Sequence, residues 1–392
     1  MGKRISKIVE GIEKNLLKII QEPGADKKAS GWARFWLGGL KGVSLVFGWL
    51  VRLRLFLFRH HVKESFPLIC QVISVGNLTA GGTGKTPVVE KLARELHRRG
   101  RKVAILSRGY RSVTTKNTPS PRVVGDGQNV LLDSAAGGDE PYMLAKNLPG
   151  VAVVVDRDRV KAGKHAMKEF GCDTLVLDDG LQYLKIRRSL EIVLVDKKNP
   201  FGNGNLLPRG ILREPVKNIR RADYVFITKS DGGSAALRGD ILKHNPGVEI
   251  VECNHTPRHL RDVATGEELP LEWLGGKKIF ALAGIAAPRR FEEFCQQCGG
   301  VLLRTKHFAD HHRYTEREIH DCLQRAAHLG CDALVTTEKD AVRFPRLENP
   351  AVRAVYLRVD IEVTGGGDVF ERILQQICDK KQSENPLTDN PL

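Results

Sequence analysis

Apolar positions along this chain fall into two patterns. Short unbroken runs of valine, isoleucine and leucine recur in "LICQVISVGNL", "KVAILS", "VAVVVD", "TLVLDD", "EIVLVD" and "DYVFIT". They have strand length but lack the alternation of a strand with one wet face, so they predict strands buried on both sides. Between most of them lie helical or loop segments. In "TPVVEKLARELHRRG", Val88, Val89, Leu92 and Leu96 recur at helical spacing and Gly100 supplies the stop. Buried strands alternating with helices predict a mostly parallel sheet covered on both faces.

A second series begins near residue 277 with "KIFALAG", "GVLLRT", "ALVTT" and "AVYLRV", separated by helical segments such as "TEREIHDCLQRAAHLG". The predicted layout is an N-terminal arm over residues 1–65, an α/β core over 66–231, a mixed connector over 232–276 and a smaller α/β domain over 277–380. The polar, proline-containing tail 381–392 is predicted to be disordered. No internal repeat is visible.

The arm breaks both patterns. In "GWARFWLGGLKGVSLVFGWLVRLRLFLFRHHV", residues 31–62, the longest uncharged run is Gly42–Val51, ten residues. That is about half of what a helix needs to span a bilayer. Trp32, Phe35, Trp36, Phe47, Trp49, Phe56 and Phe58 are interleaved with cations, the composition of a helix lying in the headgroup layer. A core helix packed on the main domain is the competing reading. No cleavable signal is evident, because the apolar part starts late and no A-x-A-like site follows it.

Charge sharpens this picture. The chain of 392 residues carries a net +16. Residues 1–70 hold 13 Lys/Arg against 5 Asp/Glu, so 13 − 5 = +8 of the excess lies in this segment. A basic excess suits nucleic acid, an anionic membrane or a phosphorylated substrate. No aromatic-studded basic β motif or DNA-binding module accompanies it, so nucleic acid is not the expected partner. An anionic membrane surface is, and no protein partner is expected. Eight cysteines are too sparse for a disulfide scaffold. The C-x-x-C of Cys295 and Cys298 lacks a second tight pair and reads as buried thiols on one helix face.

Candidate chemistry starts at "VGNLTAGGTGKTP", residues 75–87. Gly84, Lys85 and Thr86 fit the P-loop pattern G-x-x-x-x-G-K-[ST], while Thr79 stands where its first glycine belongs. The motif sits between a predicted strand and a predicted helix, as a P-loop requires, and "GGTGKT" resembles the variant loops of the ParA-like branch. The predicted nucleotide-binding residues are Thr79, Ala80, Gly81, Gly82, Thr83, Gly84, Lys85 and Thr86. Glycines let backbone N–H groups curl round phosphate oxygens, and the helix N-terminus adds partial positive charge. Lys85 would reach the β- and γ-phosphates of ATP, and Thr86 would ligate Mg²⁺. An acidic strand end must complete the metal site. Asp178 and Asp179 in "DTLVLDDG" are candidates, with Glu214 in "LREP" a third. The fold class is therefore a P-loop NTPase-like α/β/α sandwich with a second smaller α/β domain and an N-terminal membrane-surface helix. One rival function is a membrane-associated P-loop GTPase or ATPase of the ParA-like branch. "TKSD", residues 228–231, mimics the base-reading [NT]KxD of GTPases, but "DDGLQ" does not make a D-x-x-G switch from Asp178. A basic nucleic-acid-binding protein is the other rival.

Several blocks together resemble the tetraacyldisaccharide 4′-kinases, which phosphorylate the lipid A precursor of Gram-negative envelopes. They are "VGNLTAGGTGKTP", "SRGY" (107–110), "GDEP" (138–141), "LDDGLQ" (177–182), "LLPRGILREP" (206–215), "GIAAPRRF" (284–291), "FADHHRY" (308–314) and "TTEKDAVRF" (336–344). They keep the family's order and cover about residues 66–345. The chain departs from the family at Tyr183, where the family usually has histidine, and in "GIAAPRRF", which replaces a Gly-Ile-Gly-Asn-Pro start. Its arm before residue 30 is also longer than typical.

The resemblance implies transfer of the γ-phosphoryl of ATP to the 4′-hydroxyl of a tetraacyl-disaccharide 1-phosphate, a lipid-linked substrate, at the cytoplasmic face of the inner membrane. It further implies that Asp139 of "GDEP" and His311 of "ADHHRY" act as a pair that accepts the hydroxyl proton. That pairing expects the second domain to present His311 to the cleft of the first, making domain closure part of catalysis. On residue type alone, Asp139 reads as a helix N-cap and His311 as a loop histidine, with His312 its immediate rival.

Overall fold

The structure, a computed structural model, describes residues 31–110, 112–113 and 118–379, and gives only the backbone of 31–36. The first thirty residues of the arm, the side chains of Trp32, Phe35 and Trp36, and the tail predicted to be disordered lie outside the described residues.

In chain order, helix α1 (Gly31–Arg59) precedes β1 (Gln71–Asn77), α2 (Lys85–Arg98), β2 (Val103–Ser107), β3 (Arg122–Asp126), α3 (Ser134–Gly137), α4 (Asp139–Asn147), β4 (Ala152–Val155) and α5 (Arg159–Phe170). Then come β5 (Thr174–Asp178), β6 (Leu190–Asp196), β7 (Tyr224–Thr228), α6 (Ala235–His244), β8 (Glu249–Asp262) and β9 (Glu268–Leu269). The chain continues through β10 (Lys278–Ala283), α7 (Pro288–Gln297), β11 (Val301–His307), α8 (Glu316–His328), β12 (Ala333–Thr337), α9 (Glu338–Ala341), β13 (Arg353–Gly365) and α10 (Gly367–Asp379). The apolar runs of the sequence are strands. The long β8 lies inside the segment read as connector.

Two compact units interleave along the chain. One draws on residues up to Lys85, Cys172–Asn254 and Val363 onward, and the other on Thr86–Gly171 and His255–Glu362.

In the first unit β1 runs parallel to β5 on one side and β6 on the other, and β7 extends the parallel order beyond β6. Every residue of β1 and β6 is buried, which is why neither run alternates. The register pairs Val75 with Asp178, Asn77 with Leu194 and Asp196 with Thr228, so the polar residues gather at the carboxyl ends of the strands. In α/β sheets ligands bind at those ends. Gly76 is required there: a Cβ would lie 2.5 Å from the Leu181 side chain and 2.6 Å from its backbone nitrogen.

Helix α1 belongs to this unit. Among its described side chains Leu37, Ser44, Gly48 and Phe58 are buried, spaced along one face. Ser44 Oγ donates to the Leu206 carbonyl at 2.9 Å and accepts from the Arg209 N–H at 3.0 Å, and Arg54 donates to the Gln182 carbonyl at 2.6 Å. The opposite arc exposes Val43, Val46, Trp49, Leu50, Leu53 and Phe56. Lys41, Arg52, Arg54 and Arg59 are also exposed along the helix.

In the second unit β2 is parallel to β4 and β3 antiparallel to it, while β10 is flanked in parallel by β11 and β12, with β13 beyond β12. One face of this second group buries Leu260, Ile279, Phe291, Cys295 and Val335, and the other Phe280, Leu282, Ile319, Leu323 and Leu334. The C-x-x-C thiol of Cys295 is thus a core residue, and burial pushes it well above the usual thiol range. A buried charge cluster ties α2 to α9 and β13. Arg358 donates to Glu338, Glu90 and Asp360, Arg94 also pairs with Glu90, and Asn147 Nδ2 donates to Glu338 at 2.7 Å. Burial raises the Glu90 carboxyl despite both guanidinium groups.

Removing one partner from such a cluster leaves uncompensated buried charge, which costs about 3–5 kcal/mol. Arg358→Met should therefore destabilise the protein by about that amount, read as a fall in the denaturant midpoint. A midpoint within error of the parent would show that the cluster is not holding α2 and α9.

Candidate active site

The phosphate cradle begins with Asn77, the last residue of β1, fully buried. Its amide nitrogen donates to the Thr79 carbonyl at 2.8 Å and to Thr79 Oγ1 at 3.1 Å. Its side-chain oxygen accepts from Lys85 Nζ at 3.1 Å and from Arg213. Its backbone carbonyl accepts from Gln182 Nε2 at 3.1 Å and from Arg213 at 3.2 Å.

The next residues pair with the segment carrying "LREP". Arg213 N–H donates to the Leu78 carbonyl at 2.7 Å, Ala80 N–H donates to the Ile211 carbonyl at 2.6 Å, and Thr79 forms an antiparallel bridge with Leu212. This explains the missing glycine. Thr79 is held in a buried strand-like pairing, where no left-handed backbone is needed.

The glycines that need their freedom come later. Gly81 has φ 113° and Gly84 φ 78°, in the region L side chains rarely adopt. A Cβ at Gly81 or Gly82 would meet nothing within 4 Å, so the turn is open where phosphate oxygens would approach. Thr83 Oγ1 is buried without a hydrogen-bond partner, an orphan hydroxyl such a ligand would satisfy. From the other side, Thr228 Oγ1 donates to the Thr83 carbonyl at 2.8 Å. Lys229 Nζ donates to the Gly82 carbonyl at 2.9 Å and pairs with Asp196 at 2.5 Å. The first two residues of "TKSD" thus brace the loop.

Asp179 follows the end of β5 with φ 54°, left-handed for a non-glycine residue. Its carboxylate accepts from both terminal nitrogens of Arg213 at 2.9 and 2.8 Å and lies 3.6 Å from Lys85 Nζ. Asp178 is buried at the end of β5, and Thr86 is the second residue of α2. Glu214 is also buried, its Oε2 accepting from Arg221 at 2.5 Å and Asn218 at 2.8 Å. Among the described residues no three His, Cys, Asp or Glu side chains converge as a metal cage. Hydroxyl and carboxylate oxygens in small number fit magnesium, which keeps most of its shell as water and substrate phosphate.

The other candidate pair lies within the second unit. Asp139 is the first residue of α4, whose N-cap is Gly138, so its side chain is not the cap. It points instead at His311: Oδ2 lies 3.2 Å from His311 Nδ1. Arg343 Nε sits 3.4 Å from Asp139 Oδ2, and Arg313 donates to Oδ1 at 3.5 Å. Burial works to raise the Asp139 carboxyl, but the His311 bond and the two guanidinium groups hold it below its ordinary value. It is therefore an anion that orients the ring and favours a proton on Nδ1.

His311 has φ 64°, a local strain of the kind that gathers at working sites. Its ring meets Tyr110 edge-on at 6.0 Å, and Lys339 Nζ lies 3.2 Å from Nε2. His312 is turned elsewhere: its Nε2 lies 3.1 Å from both Glu318 oxygens and its ring stacks on Phe308 at 4.7 Å. Glu318 belongs to the capping box of α8. Asn77, Arg213 and Lys339 were not singled out by sequence reasoning, although each lies in a quoted block.

A family model described as tetraacyldisaccharide-1-P 4′-kinase matches residues 37–379. A curated tetraacyldisaccharide 4′-kinase of Anaeromyxobacter sp. (strain K) is 40% identical over 367 residues, covering 91% of this chain and 96% of its own length. That of Syntrophus aciditrophicus (strain SB) is 36% identical over 375 residues, covering 92% and 98%. Among solved structures, the "apo" form LpxK from Aquifex aeolicus in complex with ATP is similar with TM-score 0.70 and 28% identity, over 87% of this chain and 99% of that one.

Because Asn77 holds Lys85, Arg213 and the loop entry together, Asn77→Ala should loosen the cradle before any chemistry. Loss of these bonds predicts roughly fivefold to thirtyfold weaker binding of a non-hydrolysable ATP analogue, by calorimetry. Unchanged affinity would mean that the loop does not depend on this side chain.

Proposed function

This chain belongs to the tetraacyldisaccharide-1-P 4′-kinase family, and from that premise we infer that it transfers the γ-phosphoryl of ATP to the 4′-hydroxyl of a tetraacyl-disaccharide 1-phosphate in lipid A biosynthesis. The observation that carries this reading is the Asp139–His311 pair, a carboxylate-oriented imidazole suited to take a proton from an alcohol.

In the transfer, the sugar oxygen forms a bond to the γ-phosphorus while the bond to the β–γ bridging oxygen breaks and ADP departs. The 4′-hydroxyl proton passes to His311 Nε2, and Asp139 stabilises the resulting imidazolium through Nδ1–H. Lys85 offers fixed positive charge to the phosphoryl oxygens, where charge builds in the transition state. Backbone N–H groups of Gly81–Gly84 cradle the phosphates, with Thr79 and Ala80 fixing the loop entry. Thr86, Asp178 and Asp179 would hold magnesium, with Glu214 as a further candidate already engaged by Arg221. Bound there, magnesium would supply positive charge to the phosphate groups.

The substrate's acyl chains also call for access to a lipid surface. No described helix is long and apolar enough to cross a membrane. The exposed face of α1, with apolar Val46, Trp49, Leu50 and Phe56 beside Lys41, Arg52 and Arg59, supports peripheral attachment to an anionic surface. The cytoplasmic face of the inner membrane is the proposed location.

Transfer of labelled phosphate from ATP to a tetraacyl disaccharide 1-phosphate, with GTP as competitor, tests the activity directly. At saturating ATP, Asp139→Ala and His311→Ala should each lower kcat about 10²- to 10⁴-fold, and the double variant should lose little more than the worse single. Multiplicative losses would reject a pair acting as one unit. For the surface, Trp49→Glu with Leu50→Glu leaves the docked face of α1 intact. It should lower binding to anionic liposomes at least tenfold with ATP affinity unchanged. Undiminished liposome binding would place the attachment elsewhere.

A further inference from the structure

The ammonium of Lys339 is placed where the reaction needs an empty nitrogen. In the phosphotransfer reading above, on which this inference rests, His311 Nε2 receives the hydroxyl proton. Yet Lys339 Nζ lies 3.2 Å from that atom. A lysine ammonium has only protons to offer, so the imidazole must present its lone pair at Nε2 and keep its own proton on Nδ1. Nδ1 is the nitrogen facing Asp139.

Lys339 also has a second place to go. Its Nζ lies 3.3 Å from Glu140 Oε1 and 3.9 Å from Asp310 Oδ1, so it can leave the imidazole without losing counter-charge. Its backbone is fixed: Lys339 is the second residue of α9, between Glu338, held by Arg358, and Asp340, which accepts from Tyr314 Oη and the Gly284 N–H. Only the side chain is free to shift.

We propose that Lys339 is a positioning residue for His311, capping Nε2 in the resting enzyme so that the ring waits as the Nδ1–H tautomer, and moving to Glu140 and Asp310 when the acceptor hydroxyl takes its place. Lys339 takes no part in the proton transfer, and the transferred proton ends on His311 Nε2. Removing the cation that faces Nε2 would make a proton on that atom less costly, and substitutions at position 339 read that difference.

Few charged groups surround the ring. Asp139 faces Nδ1, while Asp310, 3.9 Å from Nε2, and Lys339 face the other nitrogen. Tyr110 meets the ring edge-on, and Arg313 and Arg343 act on it through Asp139. Of these, Lys339 is the cation in contact with Nε2.

The test uses the full chain and two readouts. Lys339→Met should move the acid limb of kcat/KM upward by about one pH unit. The His311 ring, followed by NMR of histidine-labelled enzyme and assigned with His311→Ala, should titrate higher by the same amount. Lys339→Arg should restore both, because it returns the cation. If the methionine variant fails to fold, Lys339→Gln reads the same loss of charge. A merely structural lysine would lower kcat and leave both titrations in place, which overturns the proposal. Phosphate transfer that survives His311→Ala unchanged overturns the base reading and the proposal with it. Transfer that needs His311 while its titration ignores position 339 overturns the proposal alone.

Discussion

A site built to hold phosphate must carry several cations side by side, and these repel one another whenever the anion is missing. In the cradle, Lys85 and Arg213 both point at the end of β1, and Lys229 reaches the loop from the other side. Each is held by an internal acceptor: Asn77 Oδ1 is shared by Lys85 and Arg213, Asp179 takes both amino groups of Arg213, and Asp196 takes Lys229. The carboxyl ends of three parallel strands supply these acceptors, so the register of the sheet sets the electrostatics of the loop. Asp179 accordingly has two tasks, as partner of Arg213 and as candidate metal ligand. Nucleotide and ion binding would then be an exchange of partners among groups already in place.

The second unit solves the same problem for a carboxylate. Asp139 is buried, which by itself favours its neutral form, and two guanidinium groups with the His311 ring keep it ionised. Those guanidinium groups come from different elements, Arg313 from the loop before α8 and Arg343 from the turn after α9. Arg343 is further held by the His312 carbonyl and the Lys339 carbonyl. Rigid support of this sort lets a loop histidine with a left-handed backbone hold one orientation.

Much of this was legible in the sequence because burial on both faces leaves an unmistakable run of branched apolar residues. Strands β1, β2, β4 to β7, β10, β12 and β13 were visible that way, and the glycine, lysine and threonine of the loop identified the phosphate chemistry. Strand β3 escaped notice because it is short and lies at an edge, where residues such as Arg122 are only half-buried. The middle of β8, "CNHTPRH", is polar, and nothing local marks it as strand. The roles of Asn77, Arg213 and Lys339 were hidden for a different reason. Arg213 meets Asn77 across 136 residues and Lys339 meets His311 across 28, so no local spacing records either meeting. His311 and His312 are equivalent by residue type. The family resemblance favours His311, and the three-dimensional placement of Asp139 and Glu318 separates the two rings.

The interleaving of the two units constrains how this chain can be made. The chain passes from one unit to the other after Lys85, Gly171, Asn254 and Glu362. A ribosome therefore cannot release a finished unit while it works on the next. The second unit lacks β13 until residue 362 is in place, and the first waits on α10. Pairings with such large sequence separation close slowly and expose unpaired strand edges while they wait. Neither unit can be cut from the gene as one continuous piece, so recombination cannot trade them as modules.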